Sequence, residues 1–328
     1  MERRDRERSG RGRQGREYYD QNQYYGQSQG GQYYRQPPEG RGPEKRKKKK
    51  TTFGDVIRIL LMLAALGVFC FSGYQLYTFY REYKAGTDEY SSLENDYTGE
   101  NETEDLAALE EADEQAQSVS GRELVTVVEN GQEVSLPVMN NPINFEELSA
   151  VNSDIVGWIR IRALDISYPV VQAEDNDYYL HTTFEGASNI AGCIFLNCYN
   201  KPDFTNQNTI IYGHNMRNGS MFGTLSEFQD EEVYNKSKYF WIFTPDFIYQ
   251  YRIFSASVVN QTGLTYQTSF SDEDFQEFIN TAFRNSVVDN TGLQVTEDDR
   301  IVTLSTCTGD SSTRFVVMGR LAQVYASK

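Results

Sequence analysis

From about Asn144 onward the chain repeats one local pattern: short runs rich in Ile, Val, Phe and Tyr, separated by turn-forming residues. The runs fall at 156–161, 168–172, 192–197, 209–213, 239–243, 248–259, 301–305 and 315–325. Their length and composition predict strands, and eight of them within about 185 residues predict one domain built as a closed or nearly closed β-barrel. Helical spacing appears only at 145–151, at a short turn over 178–181, at 221–228 and at 272–285. The last of these starts with Ser271 as N-cap and with Asp272, Glu273 and Asp274 at the positive end of the helix. Phe275, Phe278, Ile279, Ala282 and Phe283 share one face, so this helix is expected to pack on the barrel.

A different pattern precedes the barrel. Residues 59–77 form an apolar stretch close to the length a helix needs to cross a bilayer core. Within ten residues before it stands the basic run Lys45, Arg46, Lys47, Lys48, Lys49, Lys50, which by the positive-inside rule holds the N-terminal side in the cytoplasm. Residues 1–50 carry 15 Lys and Arg against 7 Asp and Glu, while the whole chain has a net charge of -16. With almost no aliphatic residues, this tail cannot bury enough surface to offset the entropy of ordering. The expected organisation is a disordered cytoplasmic tail (1–50), a transmembrane anchor (56–78), an acidic extracellular stalk (79–141) with some helix over 106–117, and the barrel domain (142–328). The anchor implies contact with membrane lipid; no nucleic-acid partner is expected.

The chain has four Cys: Cys70 within the anchor and Cys193, Cys198 and Cys307 beyond it. Three external thiols cannot all pair within the chain, so at least one stays free. Cys193 and Cys198 are five apart in what reads as one strand, which puts their side chains on opposite faces and disfavours a bridge. Cys307 ends the run Ile301-Val302-Thr303-Leu304-Ser305-Thr306 and meets a polar loop. His214, one of only two His, follows Thr209-Ile210-Ile211-Tyr212-Gly213 in the same way, and Arg314 opens the final strand. Each alone reads more readily as a structural residue. Together they form a chemical set, because a Cys nucleophile acts as the thiolate and needs a neighbouring base or cation. A guanidinium suits the oxyanion of an acyl transfer. No C-x-x-C or H-x-x-x-H spacing points to a metal, and no cofactor is expected.

These residues resemble the sortase family. The resemblance rests on Tyr212-Gly213-His214-Asn215-Met216 and on Thr303-Leu304-Ser305-Thr306-Cys307 with Arg314 seven residues later. The stretches Gly157-Trp158-Ile159, Tyr168-Pro169-Val170-Val171-Gln172, Asp175-Asn176-Asp177-Tyr178-Tyr179-Leu180 and Asn218-Gly219-Ser220-Met221-Phe222-Gly223 are similar to class B members in particular. The resemblance implies an eight-stranded sortase-type β-barrel with a helix inserted before the Cys-bearing strand. It also implies a transpeptidase: Cys307 attacks a threonine carbonyl in the sorting motif of a surface protein, and the amine of a peptidoglycan precursor or pilin resolves the thioester. His214 would be the acid and base, Arg314 the oxyanion-side cation, and Asn215, Ser305 and Thr306 would contact the substrate. Asn197 and Cys198 depart from the Asp and Tyr that class B members often carry there. The short loop from Cys307 to Arg314 leaves Arg320 as the alternative cation, though it lies farther from the strand end. A surface cysteine protease and a non-catalytic surface binding module are the competing functions. The chain itself closes inside its last run, without a sorting motif, apolar helix and basic tail, and so is not expected to be a sortase substrate.

Overall fold

Each of the eight runs forms a strand, and hydrogen bonds join them into one closed barrel in this computed structural model, which describes residues 50–99, 102–115, 123–129 and 132–328. All but Lys50 of the expected disordered tail lies outside the described residues. The helices are α1 (Phe53–Tyr97), α2 (Glu102–Glu114), α3 (Phe145–Val151), α4 (Glu231–Lys236) and α5 (Asp272–Asn285). The strands are β1 (Leu124–Glu129), β2 (Gln132–Met139), β3 (Ile155–Ile161), β4 (Ile166–Val171), β5 (Ile194–Leu196), β6 (Asn208–Tyr212), β7 (Tyr239–Phe243), β8 (Phe247–Asn260), β9 (Ile301–Cys307) and β10 (Thr313–Ser327). Around the barrel the order is β3, β4, β5, β6, β9, β10, β8, β7 and back to β3. The β4–β5 and β6–β9 pairs are parallel and the others antiparallel. β1 and β2 form a hairpin attached through β2 to the end of β10.

The period of two in β9 and β10 sorts their side chains between two cores. Val302, Leu304, Phe315 and Val317 point into the barrel, where Trp158, Trp241 and Tyr251 are fully buried. Ile301, Val316 and Met318 point outward and are covered by Phe275, Phe278, Ile279 and Ala282 of α5. Ser271 caps α5 as expected, its hydroxyl accepting from the Asp274 N–H at 3.2 Å. The 221–228 pattern does not form one helix. The chain turns tightly at Gly219 (φ +81°) and at Gly223, where a Cβ would collide with the Met216 carbonyl oxygen, and only then makes a 3-10 turn (Leu225–Gln229) and α4.

The stretch expected to be a solvated stalk is largely folded. α1 runs for 45 residues, roughly 67 Å, and includes an 18-residue window of mean hydropathy 2.2, long and apolar enough to cross a membrane. By contact the chain divides into two units, 1–61 and 62–328. Within the second, the last turns of α1 bury Gly86, Tyr90 and Leu93. α2 buries Leu106 and Leu109, each contributing about 2 kcal/mol of apolar transfer. Two of its acids, Glu110 and Asp113, turn to the barrel, while Glu111 and Glu114 stay exposed. Glu110, 5% exposed, accepts from Arg162 Nη1 at 2.6 Å, Ser237 Oγ at 2.9 Å and Trp241 Nε1 at 2.9 Å. Asp113 accepts from the Tyr239 hydroxyl at 2.6 Å. A cluster of acids in sequence thus becomes a set of polar contacts between helix and barrel, because the basic and aromatic partners stand more than 50 residues away.

Candidate active site

β9, β6 and β10 bring the site together. Cys307 ends β9, and its cross-strand partner on β10 is Arg314. Residues directly opposite in an antiparallel pair share a face, so the thiol and the guanidinium lie on the same side of the sheet. By the same alternation Ser305 shares that face of β9 with Cys307. On the other flank β6 runs parallel to β9 with Tyr212 opposite Ser305, and the Gly213 N–H donates to the Ser305 carbonyl at 3.1 Å. His214 is the next residue, so the two strand ends deliver His and Cys side by side. Both line a cavity of about 210 Å³ together with Arg314, Ser305, Leu180 and Asn176. Arg320 pairs with Ile301 at the opposite end of β9 and has no part in this cavity.

The His214 ring is held by the backbone. Its Nε2 lies 2.8 Å from the carbonyl oxygen of Leu180, in the 3-10 turn Tyr178–Leu180. A carbonyl only accepts, so Nε2 carries the hydrogen and the neutral ring keeps its lone pair on Nδ1. His181 stacks on His214 with ring centroids 6.2 Å apart. Arg314 is oriented by three bonds: Nη1 donates to the Ser311 carbonyl at 3.0 Å and the Thr313 carbonyl at 2.8 Å, and Nη2 donates to Gln261 Oε1 at 3.2 Å. The short Cys307–Arg314 loop thereby helps to aim the guanidinium.

The three residues expected to contact substrate stand in different positions. Asn215 Nδ2 donates to the Cys307 carbonyl at 2.7 Å, tying the His loop to the end of the Cys strand. Thr306 borders the cavity, but its hydroxyl donates to the Gly213 carbonyl at 2.8 Å. Ser305 shares a 2.9 Å hydrogen bond with the hydroxyl of Tyr266. Tyr266 stacks on Tyr212 at 6.3 Å between centroids, and burial raises both phenols, that of Tyr212 to about 12, so both stay protonated. Tyr266, Gln261 and the Leu180 carbonyl were not legible as site groups in the sequence. The first two belong to the β8–α5 connection and the third is a backbone atom, so no motif marks them.

All four cysteines are free. Cys193 is buried, and burial pushes its thiol up to about 12, so it stays protonated. It does not pair with Cys198; both lie outside the short β5, and the Cys198 N–H donates to Asn176 Oδ1 at 2.9 Å. Of the three thiols beyond the apolar span, Cys307 is the exposed one. Asn197 donates to the Tyr212 hydroxyl at 3.0 Å, so an amide fills the place where an acid was expected of class B members.

Comparison with known proteins gives the same outline. A sortase domain model matches residues 159–322. Sortase B of Listeria monocytogenes is 31% identical over 272 residues, covering 80% of this chain and 95% of its own length. The structure of a Staphylococcus aureus sortase B–substrate complex superposes with a TM-score of 0.51 at 35% identity, over 55% of this chain and 84% of that one. A structure of sortase B complexed with triglycine gives a TM-score of 0.52 at 35% identity, over 55% and 85% of the two chains. A closed eight-stranded barrel, the His and Cys motifs on neighbouring strand ends and these relatives together establish that the chain belongs to the sortase family of transpeptidases, class B.

Proposed function

We propose that this protein is a membrane-anchored cysteine transpeptidase that cleaves the sorting motif of surface proteins and transfers the acyl group to an amine of a peptidoglycan precursor or pilin. The observation that carries the reading is the face shared by Cys307 and Arg314 at the mouth of a cavity that also receives His214. The Cys307 thiolate adds to the carbonyl of the motif's threonine, and Arg314 donates to the oxygen as charge develops there. Protonated His214 gives its Nδ1 proton to the departing amine, the C–N bond breaks and a thioester remains. An incoming amine then adds to the thioester, loses a proton to Nδ1, and expels Cys307 as thiolate. Related sortase B structures, solved with a substrate and with triglycine, support a peptide donor and an amine acceptor. The basic tail places the N-terminus in the cytoplasm and the barrel outside the cell.

The test uses the full chain in detergent or nanodiscs with quenched sorting-motif peptides, with and without triglycine. Cleavage that requires Cys307, His214 and Arg314, and that becomes ligation on adding the amine, is the expected result. Hydrolysis that never yields ligated product would make it a surface protease. Absence of turnover, with Cys307 no more reactive than an ordinary thiol, would leave a binding module.

A further inference from the structure

The catalytic His is held by a backbone carbonyl, and that carbonyl belongs to a segment that is itself fastened to the helix emerging from the apolar span. The segment 181–193 folds back on itself: the Asn189 N–H donates to the His181 carbonyl at 3.0 Å and the Cys193 N–H to the Tyr179 carbonyl at 2.9 Å. Gly192 takes φ +54°, and a Cβ there would collide with the carbonyl oxygens of Tyr179 and Leu180. Gly192 therefore lies directly against the group that receives the His214 hydrogen. α1 grips this segment at three heights. Asn189 Nδ2 donates to the Glu82 carbonyl at 2.9 Å, the Glu185 N–H to Glu89 Oε1 at 3.0 Å, and the Tyr90 hydroxyl to the Gly192 carbonyl at 2.5 Å. Gly86 lets α1 come close, with Asn189 Oδ1 and Ala191 within 3.3 Å of where its Cβ would stand. The same helix reaches the loop that follows His214, through Asn218 Nδ2 to Thr87 Oγ1 at 3.3 Å.

We infer that the part of α1 beyond the apolar span is a brace for the catalytic centre, in which Tyr90, through Gly192 and the Leu180 carbonyl, is a positioning residue that keeps His214 with its hydrogen on Nε2 and its lone pair on Nδ1. The inference rests on the reading of His214 as the acid and base. Tyr90 suits the task because it is 5% exposed and locked edge-on against Tyr168, ring centroids 5.4 Å apart at 84°, so its hydroxyl has little freedom. Burial also holds its phenol well above the usual range, so it remains a donor. A brace on the anchoring helix means that the site is complete only when residues 82–94 are present.

The test is Tyr90→Phe in the full chain in nanodiscs, which keeps the ring and its packing and removes only the hydroxyl. Long-range proton–nitrogen spectra of histidine-labelled protein, with His181→Asn for assignment, read the His214 tautomer without reference to turnover. We expect the Nδ1 and Nε2 resonances to move toward each other as the tautomers mix, and kcat to fall about 3- to 10-fold, the worth of one hydrogen bond, with KM within twofold. Asn189→Ala, which frees the same segment from Glu82 while leaving the ring cluster intact, should act in the same direction. A His214 spectrum unchanged in both variants overturns the inference, as does a fall in kcat without a change of tautomer. If His214→Gln keeps its turnover while Tyr90→Phe still mixes the tautomers, the brace stands and the role given to His214 falls.

Discussion

Arg314 and Arg320 lie on one strand and one face, which makes their comparison a direct test of the site. Arg314 pairs with Cys307, and Arg320 with Ile301, six residues farther along β10. At about 3.3 Å per residue the two are separated by roughly 20 Å. That exceeds the Debye length of about 8 Å at physiological salt, so charge at Arg320 is screened from Cys307, whereas Arg314 stands opposite Cys307 and lines the same cavity. Removing one preorganised donor to a developing oxyanion costs about 10²- to 10³-fold in kcat, or about 2.7–4 kcal/mol. Arg314→Ala should therefore lose that much in kcat with a small change in KM. Arg314→Lys should recover part of it at most, since one ammonium cannot keep bonds to Ser311, Thr313 and Gln261 and also serve the substrate. Arg320→Ala should stay within about twofold of wild type in kcat, against the factor of 10² or more given for the neighbour. Steady-state cleavage of a sorting-motif peptide, with thermal melting of each variant, reads all three. Equal losses for Arg314→Ala and Arg320→Ala at unchanged melting temperature would refute the assignment of Arg314.

Glu110→Ala should destabilise the fold by about 3–5 kcal/mol, because it strips a partly buried Arg162 and the buried Trp241 N–H of their acceptor. Melting should fall by on the order of 10 °C, and an unshifted melting curve would mean that α2 does not hold the barrel. Iodoacetamide should label Cys307 in the native protein, with Cys193 reacting only on unfolding; early Cys193 labelling would contradict its burial. Because burial raises the Cys193 thiol from 9.0 to about 12, the folded state keeps a proton that the unfolded state has lost between those values. Stability should thus decline as pH rises above about 9, by up to about 1.4 kcal/mol per pH unit from this group. Denaturant titrations of Cys193→Ala should show a shallower decline, and an identical slope would rule out that origin.

What could be read in advance was local. A short run rich in Ile, Val, Phe and Tyr between turn residues marks a strand within a few positions, so all eight barrel strands were visible, with shifts of one or two residues at most ends. α5 was visible through its cap and its apolar stripe. His214, Cys307 and Arg314 stood out because reactive side chains sat at strand ends beside polar loops, and the structure brings all three to one cavity. Glu110 and Asp113 of α2 misled, since a run of Glu and Asp looks solvated until Arg162, Ser237, Tyr239 and Trp241 are brought against it.

The sequence by itself therefore determined the strand content of the barrel, the apolar span before it and the strand-end places of the trio His214, Cys307 and Arg314, since each is written in spacing over a few residues. Only the tertiary structure decided which groups hold that trio. The Leu180 carbonyl reaches His214 across 34 positions, Tyr266 reaches Ser305 across 39, and Tyr90 reaches Gly192 across 102. The reason is that a backbone carbonyl is the same in every residue, and a tyrosine hydroxyl acquires a partner only when closure of the barrel and docking of α1 set one in front of it.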